Sequence, residues 1–258
     1  MGVLEKIAAK MTAHLDASSV ASPKYAQLYE QILRAIEQGQ WKPGDRLPPD
    51  SEFARVLPIS LGTVQKALNM LANHGVIARR HGHGTFVADA ATPEEEIRHF
   101  HFVAGTEGHH LPVYVRVLSV EATNASGPWA KFLVEDNEFV CVTRIISVNL
   151  EFQTYSQVYL SRERFGFFLD MPLRELDRAA FNYMLSTRFN APTLHTVQYF
   201  RAKEIPSNVC STIGVKDGST GVQWEVYGYT YREAPISYQC VYIPPATGRL
   251  QIGTPPNG

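Results

Sequence analysis

Between Glu52 and Asp89 the chain has no acidic residue, yet it carries Arg55, Lys66, Arg79 and Arg80 together with His74, His81 and His83. That imbalance suits a polyanion. Each Lys or Arg near a phosphate releases condensed counterions, and a carboxylate in the same place opposes the release. Ser60 stands where a helix N-cap is expected, so the turn that follows can offer N–H groups to phosphate and side chains to base edges. Arg79-Arg80-His81-Gly82-His83-Gly84 ends in glycines, which let a hairpin tip approach a groove closely. Other reactive types are scattered. His99, His101, His109 and His110 lie close in sequence without a helical pair and a second ligand cluster, so no metal is expected. There is no G-x-S-x-G elbow, and Gly82-His83-Gly84 lacks the strand-before, helix-after setting of a phosphate loop, so no cofactor is expected.

The elements that must hold these residues are legible in the spacing. Tyr25, Leu28, Tyr29, Ile32, Leu33 and Ile36 form the apolar stripe of a helix closed at Gly39. Phe53, Ala54 and Leu57 line a second, short helix for which Asp50 is the expected cap. Val64, Ala67, Leu68 and Leu71 give a third, from Ser60 to Gly75. Two extended arms around Gly82 and Gly84 then read as a hairpin. Three helices and a glycine-tipped hairpin describe a winged helix-turn-helix over residues 23–88. Residues 1–20 read as a weak amphipathic helix, with Val3, Leu4, Ile7, Met11 and Leu15 on one face, in a leader over 1–22 that is either frayed or an arm for dimer or DNA contact; 89–100, with Thr92-Pro93 and an acidic run, reads as a linker. Segments 113–117, 139–148, 154–160, 194–200, 222–231 and 236–243 are rich in β-branched and aromatic residues, with helices near 173–189 and 207–213. The fold class is therefore α+β, with a mainly antiparallel sheet in residues 101–252 and a tail at 253–258.

Composition bounds the rest. With 258 residues the chain has room for two domains. A formal net charge of −1 leaves no global polycation, so a nucleic-acid site must be a local patch. Cys141, Cys210 and Cys240 are widely spaced, which excludes a disulfide framework and suits a reducing, cytoplasmic setting. No apolar run approaches a membrane span.

The residues of the first domain also resemble a family. Pro43-Gly44-Asp45-Arg46-Leu47-Pro48, Thr63-Val64-Gln65-Lys66-Ala67-Leu68, Gly75-Val76-Ile77 and Arg80-His81-Gly82-His83-Gly84-Thr85-Phe86-Val87 are similar, collinear and ungapped, to the GntR family of bacterial transcriptional regulators. The resemblance implies a homodimer on palindromic double-stranded DNA, with the third helix in the major groove and the wing in the minor groove. It places DNA contacts at Ser51, Ser60, Leu61, Thr63, Gln65, Lys66, Arg79, Arg80, His81, Gly82 and His83. Three positions depart from the family's pattern: Ser51, Leu61 and Gln65 stand where Arg is usual. Arg reads guanine, Gln suits adenine and Leu can only touch a thymine methyl, so an A·T-richer half-site is expected.

Residues 100–252 resemble the UTRA effector domain of the HutC subfamily, through Pro112 to Leu118, Val142-Thr143-Arg144-Ile145, Tyr159-Leu160, Ile213-Gly214-Val215 and Pro235-Ile236 with Tyr242. The resemblance implies a chorismate-lyase-like fold that binds a small effector: histidine or urocanate, sugar phosphates, or other small acids. Arg144 matches the family's first anion-contacting Arg. The second is Ile146 here, the phosphate-holding Ser and Tyr fall at Ala179 and Phe181, and two Glu positions fall at Ser156 and Ser237. A buried phosphate without donors is costly, so the expected ligand is a carboxylate-containing organic acid rather than a sugar phosphate. Its candidate contacts are Arg144, Tyr155, Ser156, Tyr159, His195, Tyr229 and Tyr238. A repressor without enzymatic activity is the reading that follows. Its rivals are an enzyme built on the second domain and an architectural DNA-binding protein that ignores small molecules.

Overall fold

The structure, a computed structural model, describes residues 2–16, 22–80, 82–88, 100–104, 109–133, 137–176, 181–245 and 249–252. The chain divides into two compact units, Met1–Ala90 with Leu185–Leu194, and Ala91–Met184 with His195–Gly258.

The first unit is helical. Helix α1 (Val3–Asp16) precedes α2 (Lys24–Glu37), α3 (Asp50–Val56) and α4 (Leu61–Asn73). Leu28, Ile32, Leu33 and Ile36 of α2, Phe53 of α3 and Val64, Ala67, Leu68 and Leu71 of α4 are all buried, as the periodicity requires. The weak amphipathic helix read from sequence in this segment is present as α1, and it is packed rather than frayed. Leu4, Ile7 and Met11 repeat on one face and are buried, which ties α1 to the unit. Strands β1 (Ile77–Arg80) and β2 (Gly84–Val87) pair antiparallel, Arg79 opposite Thr85 and Arg80 opposite Gly84. The loop before α3 adds to this wing, with Leu47 N–H donating to the Thr85 carbonyl at 2.8 Å and Val87 N–H to the Asp45 carbonyl at 2.8 Å. The expected 89–100 linker, apart from Phe100, and the 253–258 tail lie outside the described residues.

The second unit is built on a six-stranded, wholly antiparallel sheet. Its strands are β5 (Val113–Thr123), β6 (Phe139–Val148), β7 (Phe152–Ser161), β8 (His195–Glu204), β9 (Thr220–Tyr229) and β10 (Pro235–Ile243), in the order β5-β6-β7-β10-β9-β8. These are the six segments expected from β-branched and aromatic content. A second sheet that the sequence reading did not anticipate joins β3 (Phe100–Ala104), β4 (His109–His110) and β11 (Arg249–Ile252). Strands this short carry little period-2 signal, and their partners are far apart in sequence.

Alternation gives the large sheet two faces. One carries Cys141, Tyr155, Tyr159, Tyr238 and Cys240, and is covered by α5 (Pro128–Phe132) through Trp129 and Phe132 and by α9 (Ser207–Ile213) through Val209 and Ile213. The other carries Val142, Arg144, Ser156, Val158 and Gln239, with Phe181 of α8 (Phe181–Phe189) beside Arg144. Gly221 marks where backbones approach closely: a Cβ there would run into the Ile243 carbonyl and the Ile205 side chain.

Candidate nucleic-acid interface and effector site

Helix α4 is positioned to present its first turn. Ser60 is its N-cap: the Ser60 hydroxyl accepts from Thr63 N–H at 3.3 Å and lies 2.9 Å from the Thr63 hydroxyl. Leu61, Gly62, Gln65, Lys66 and Asn69 are exposed opposite the buried Val64–Leu71 stripe, and Leu61 is 44% exposed although it is a large apolar residue. Lys66 Nζ sits 3.7 Å from the centre of the Tyr25 ring, which stations its charge beside α2. Ser51, Arg79, Arg80, Gly82 and His83 are exposed, Thr63 is half-buried, and His81 lies outside the described residues.

Tertiary structure changes the charge reading of this surface in two ways. Asp50 is the first residue of α3, Pro49 holds the cap position without a side-chain bond, and the Asp50 carboxylate instead accepts from Arg79 Nη2 at 3.4 Å. The expected cap is thus an ion pair, because a residue already inside the helix has its side chain turned away from the first N–H groups. A carboxylate therefore reaches the face that looked carboxylate-free in sequence. Arg46, absent from the expected contacts, also joins it: its Nε lies 3.0 Å from where a Cβ on Gly84 would stand. Gly84 has φ 112°, so it serves both a backbone conformation and the space for this cation. The signal in sequence was the Gly44-Asp45-Arg46 turn, whose pairing with the wing is long-range. Arg80 stacks over Phe86 at 5.1 Å, an arrangement that keeps its full charge.

In the second unit the seven expected effector contacts fall on opposite faces of the sheet. Tyr155 and Ser156 are neighbours in one strand and so must point apart. Arg144 and Ser156 face one side, paired across β6 and β7, with Arg144 Nη2 donating to the Ser156 hydroxyl at 3.4 Å and Gln239 Nε2 to the same oxygen at 3.0 Å. Arg144 is 9% exposed and its guanidinium lies 5.2 Å from the Phe181 ring. Thr154, two residues along the same face from Ser156, buries a hydroxyl that has no hydrogen-bond partner in the structure. Sequence reasoning did not find Gln239 or Thr154, because only the strand register brings them to Arg144.

Tyr155, Tyr159, Tyr238, Tyr229 and His195 form the opposite face. Trp129 stacks on Tyr159 at 3.8 Å, His195 on Tyr229 at 4.6 Å, and Tyr238 donates to Glu225 at 2.5 Å. His195 also lies 3.2 Å from Glu233. Burial pushes the hydroxyls of Tyr159 and Tyr238 and the thiols of Cys141 and Cys240 above their ordinary ranges. They stay neutral here: the Tyr159 and Tyr238 hydroxyls donate to Gln157 and Glu225, and the Cys141 and Cys240 thiols accept from the Gln157 and Gln223 amides. A groove of about 800 Å³ lined by Ser126, Gly127, Pro128, Ala130, Lys131, Phe132 and Tyr227 opens on this face. The expected single pocket is thereby corrected: Arg144 and Ser156 lie on one face of the sheet and the five aromatic candidates on the other.

The first unit is thus a winged helix with an exposed first turn on α4, and the second a separate antiparallel-sheet domain. Residues 24–87 match the family model for bacterial regulatory proteins of the gntR family, and this segment is a GntR-type winged helix. Among relatives, a histidine utilization repressor of Pseudomonas putida is 31% identical over 106 residues, 40% of this chain and 43% of that protein. The transcriptional repressor NagR of Bacillus subtilis is 41% identical over 66 residues, 26% of this chain and 27% of that protein. The matches thus span less than half the length of these curated relatives. The ligand-binding domain of a protein assigned to the GntR-family regulators of Bordetella bronchiseptica shares the fold of the second unit, with TM-score 0.52, 18% identity, and coverage of 61% of this chain and 96% of that one. No helix among the described residues is long and apolar enough to cross a membrane.

Proposed function

We propose that the chain is a sequence-specific transcriptional repressor whose occupancy of operator DNA is set by a small organic acid held at Arg144. The observation that carries the DNA half is the exposed first turn of α4 beside a wing bearing Arg79, Arg80 and Arg46. Neutral readers on α4 favour an A·T-richer half-site: Gln65 offers the bidentate geometry that adenine accepts, and Leu61 can cover a thymine methyl. Two copies would read a palindrome through the same contacts. The names of the Pseudomonas putida and Bacillus subtilis relatives, both repressors, support regulation over catalysis.

For the effector, the buried Arg144 guanidinium, the Ser156 hydroxyl, Gln239 and the unsatisfied Thr154 hydroxyl offer one charge and a few neutral polar groups. That set matches a carboxylate. A phosphate dianion needs more charge and more donors to offset its desolvation. The relatives named histidine utilization repressors make histidine the first acid to try, and the resemblance to the HutC subfamily adds urocanate. The test is fluorescence anisotropy on the chain's own promoter duplex with a panel of small organic acids and sugar phosphates. An organic acid should shift the Kd for DNA by about 5–150-fold, the range of ordinary allosteric coupling. Arg144→Ala should leave DNA affinity near wild type and abolish the response. A response confined to sugar phosphates overturns the ligand class, and indifference to duplex DNA at low salt overturns the function.

A further inference from the structure

We propose that the groove beside α5, on the sheet face opposite Arg144, is a second small-molecule site, and that it takes a flat aromatic carboxylate. It is distinct from the Arg144 site and stands whether or not that site holds the effector.

The groove has a volume of about 800 Å³, the size of a site for a small organic molecule. It is walled by α5 and the turn before it on one side and by Tyr227 of β9 on the other. Packing holds it open. The Trp129 ring stacks on Tyr159 at 3.8 Å, and its Nε1–H donates to the Ala125 carbonyl at 3.2 Å. Gly127 lies against the same ring, so closely that a Cβ there would run into it. Leu133, just past the helix, is buried in the cluster with Tyr159 and Tyr238. These contacts fix α5 on the sheet and engage Trp129 fully. Phe132 and Tyr227 are left as half-buried rings that line the opening.

The lining selects the ligand. Phe132 and Tyr227 stand at 84° with ring centres 4.9 Å apart, so a flat guest ring can stack on one and meet the other edge-on. The Tyr227 hydroxyl has no hydrogen-bond partner among the described residues, and burial pushes it above its ordinary range, so at neutral pH it is a donor. Lys131, next to Phe132, is exposed and makes no ion pair among the described residues. None of the residues lining the groove is acidic. Two rings at a right angle call for a planar apolar body. One cation and one hydroxyl donor, with no carboxylate to oppose them, call for a single negative charge at its edge. An aromatic amine would find no anion here, and a phosphate dianion would find too few donors. The sheet thus offers two acid sites of different character, a buried polar one at Arg144 and an open aromatic one beside α5.

The experiment titrates the full-length chain with 2-naphthoate by ligand-observed nuclear magnetic resonance. Wild type should bind it saturably, with a Kd of about 1 mM or tighter. Decalin-2-carboxylate, the saturated and puckered counterpart, should bind about 2–12-fold more weakly. Lys131→Met should weaken 2-naphthoate by about 2–5-fold and leave the uncharged 2-naphthamide unchanged. Binding should persist in Arg144→Ala, whose site is on the other face. If a variant melts early by circular dichroism, magnetisation transfer in wild type decides: naphthyl protons should reach the Phe132 and Tyr227 rings. No saturable binding, equal affinity in Lys131→Met and wild type, loss of binding in Arg144→Ala, or transfer to other rings only overturns the site. The DNA titrations described above read the Arg144 site separately, so either proposal can fail without the other.

Discussion

Arg79 and Arg80 are adjacent, share the wing and look equivalent in sequence, yet the structure makes them unequal. Arg79 is ion-paired to Asp50 at 3.4 Å, whereas Arg80 rests on the Phe86 ring. A cation that neutralises a phosphate contributes about 0.9 to the slope of log K against log salt, so between about 50 and 200 mM salt one such contact is worth roughly 3.5-fold in affinity. Arg80→Ala should therefore lower the slope by about 0.9. Arg79→Ala should lower it by clearly less, because Asp50 already opposes part of that charge. Asp50→Asn should have the opposite sign, raising affinity at low salt and steepening the slope by up to about 0.9. The pair is exposed, so its loss costs fold stability only about 0–1 kcal/mol and the variants should remain folded. The assay is anisotropy on one duplex at several salt concentrations. Equal slopes for Arg80→Ala and wild type, or a loss of affinity in Asp50→Asn, would refute the assignment of the wing as a phosphate-contacting surface.

Further expectations concern stability. In the first unit, Asn190 Nδ2 donates to the Ile36 and Glu37 carbonyls at 2.7 and 2.9 Å, capping the end of α2 from a residue at φ 49°. Asn190→Ala should cost about 2–4 kcal/mol, two hydrogen bonds plus left-handed backbone that Ala resists, and Asn190→Gly less; urea unfolding measures both. Gly221→Ala should cost about 3 kcal/mol by driving a methyl into the Ile243 carbonyl, and an unchanged melting curve would contradict the strand packing. Burial pushes the Tyr242 hydroxyl from its ordinary value of 10.0 up to about 12. The stability this contributes is complete below pH 10 and is lost as pH rises toward about 12, where the unfolded chain has released its proton first. Denaturant midpoints across that window should fall, and should fall less in Tyr242→Phe.

Much of the fold was readable before any tertiary contact was known. The stripe Leu28–Ile32–Leu33–Ile36 and the set Val64–Ala67–Leu68–Leu71 repeat at helical spacing because each must bury one side of a helix, and all of them are buried. The six long strands were marked by β-branched and aromatic runs for the same reason. The stripe of α1 was legible at helical spacing too, and only the burial of Leu4, Ile7 and Met11 decided that it packs rather than frays. In the site, Ser60 capping α4 and the exposure of Leu61, Gln65 and Lys66 follow from local chemistry. The division of Tyr155 from Ser156 was also implicit in strand alternation, and grouping them in one pocket overlooked it.

Local spacing along the chain determines which residues enter helices and strands, which face of each is apolar, and where a cationic, winged surface can arise, because these depend on neighbours within a few positions. Which charges survive on that surface, and which side chains meet Arg144, was decided only by folding. The Arg79–Asp50 pair spans 29 residues and the Ser156–Gln239 bond 83. Contacts at that separation are set by how elements stack and in what register strands pair, and residue order near either partner does not encode them.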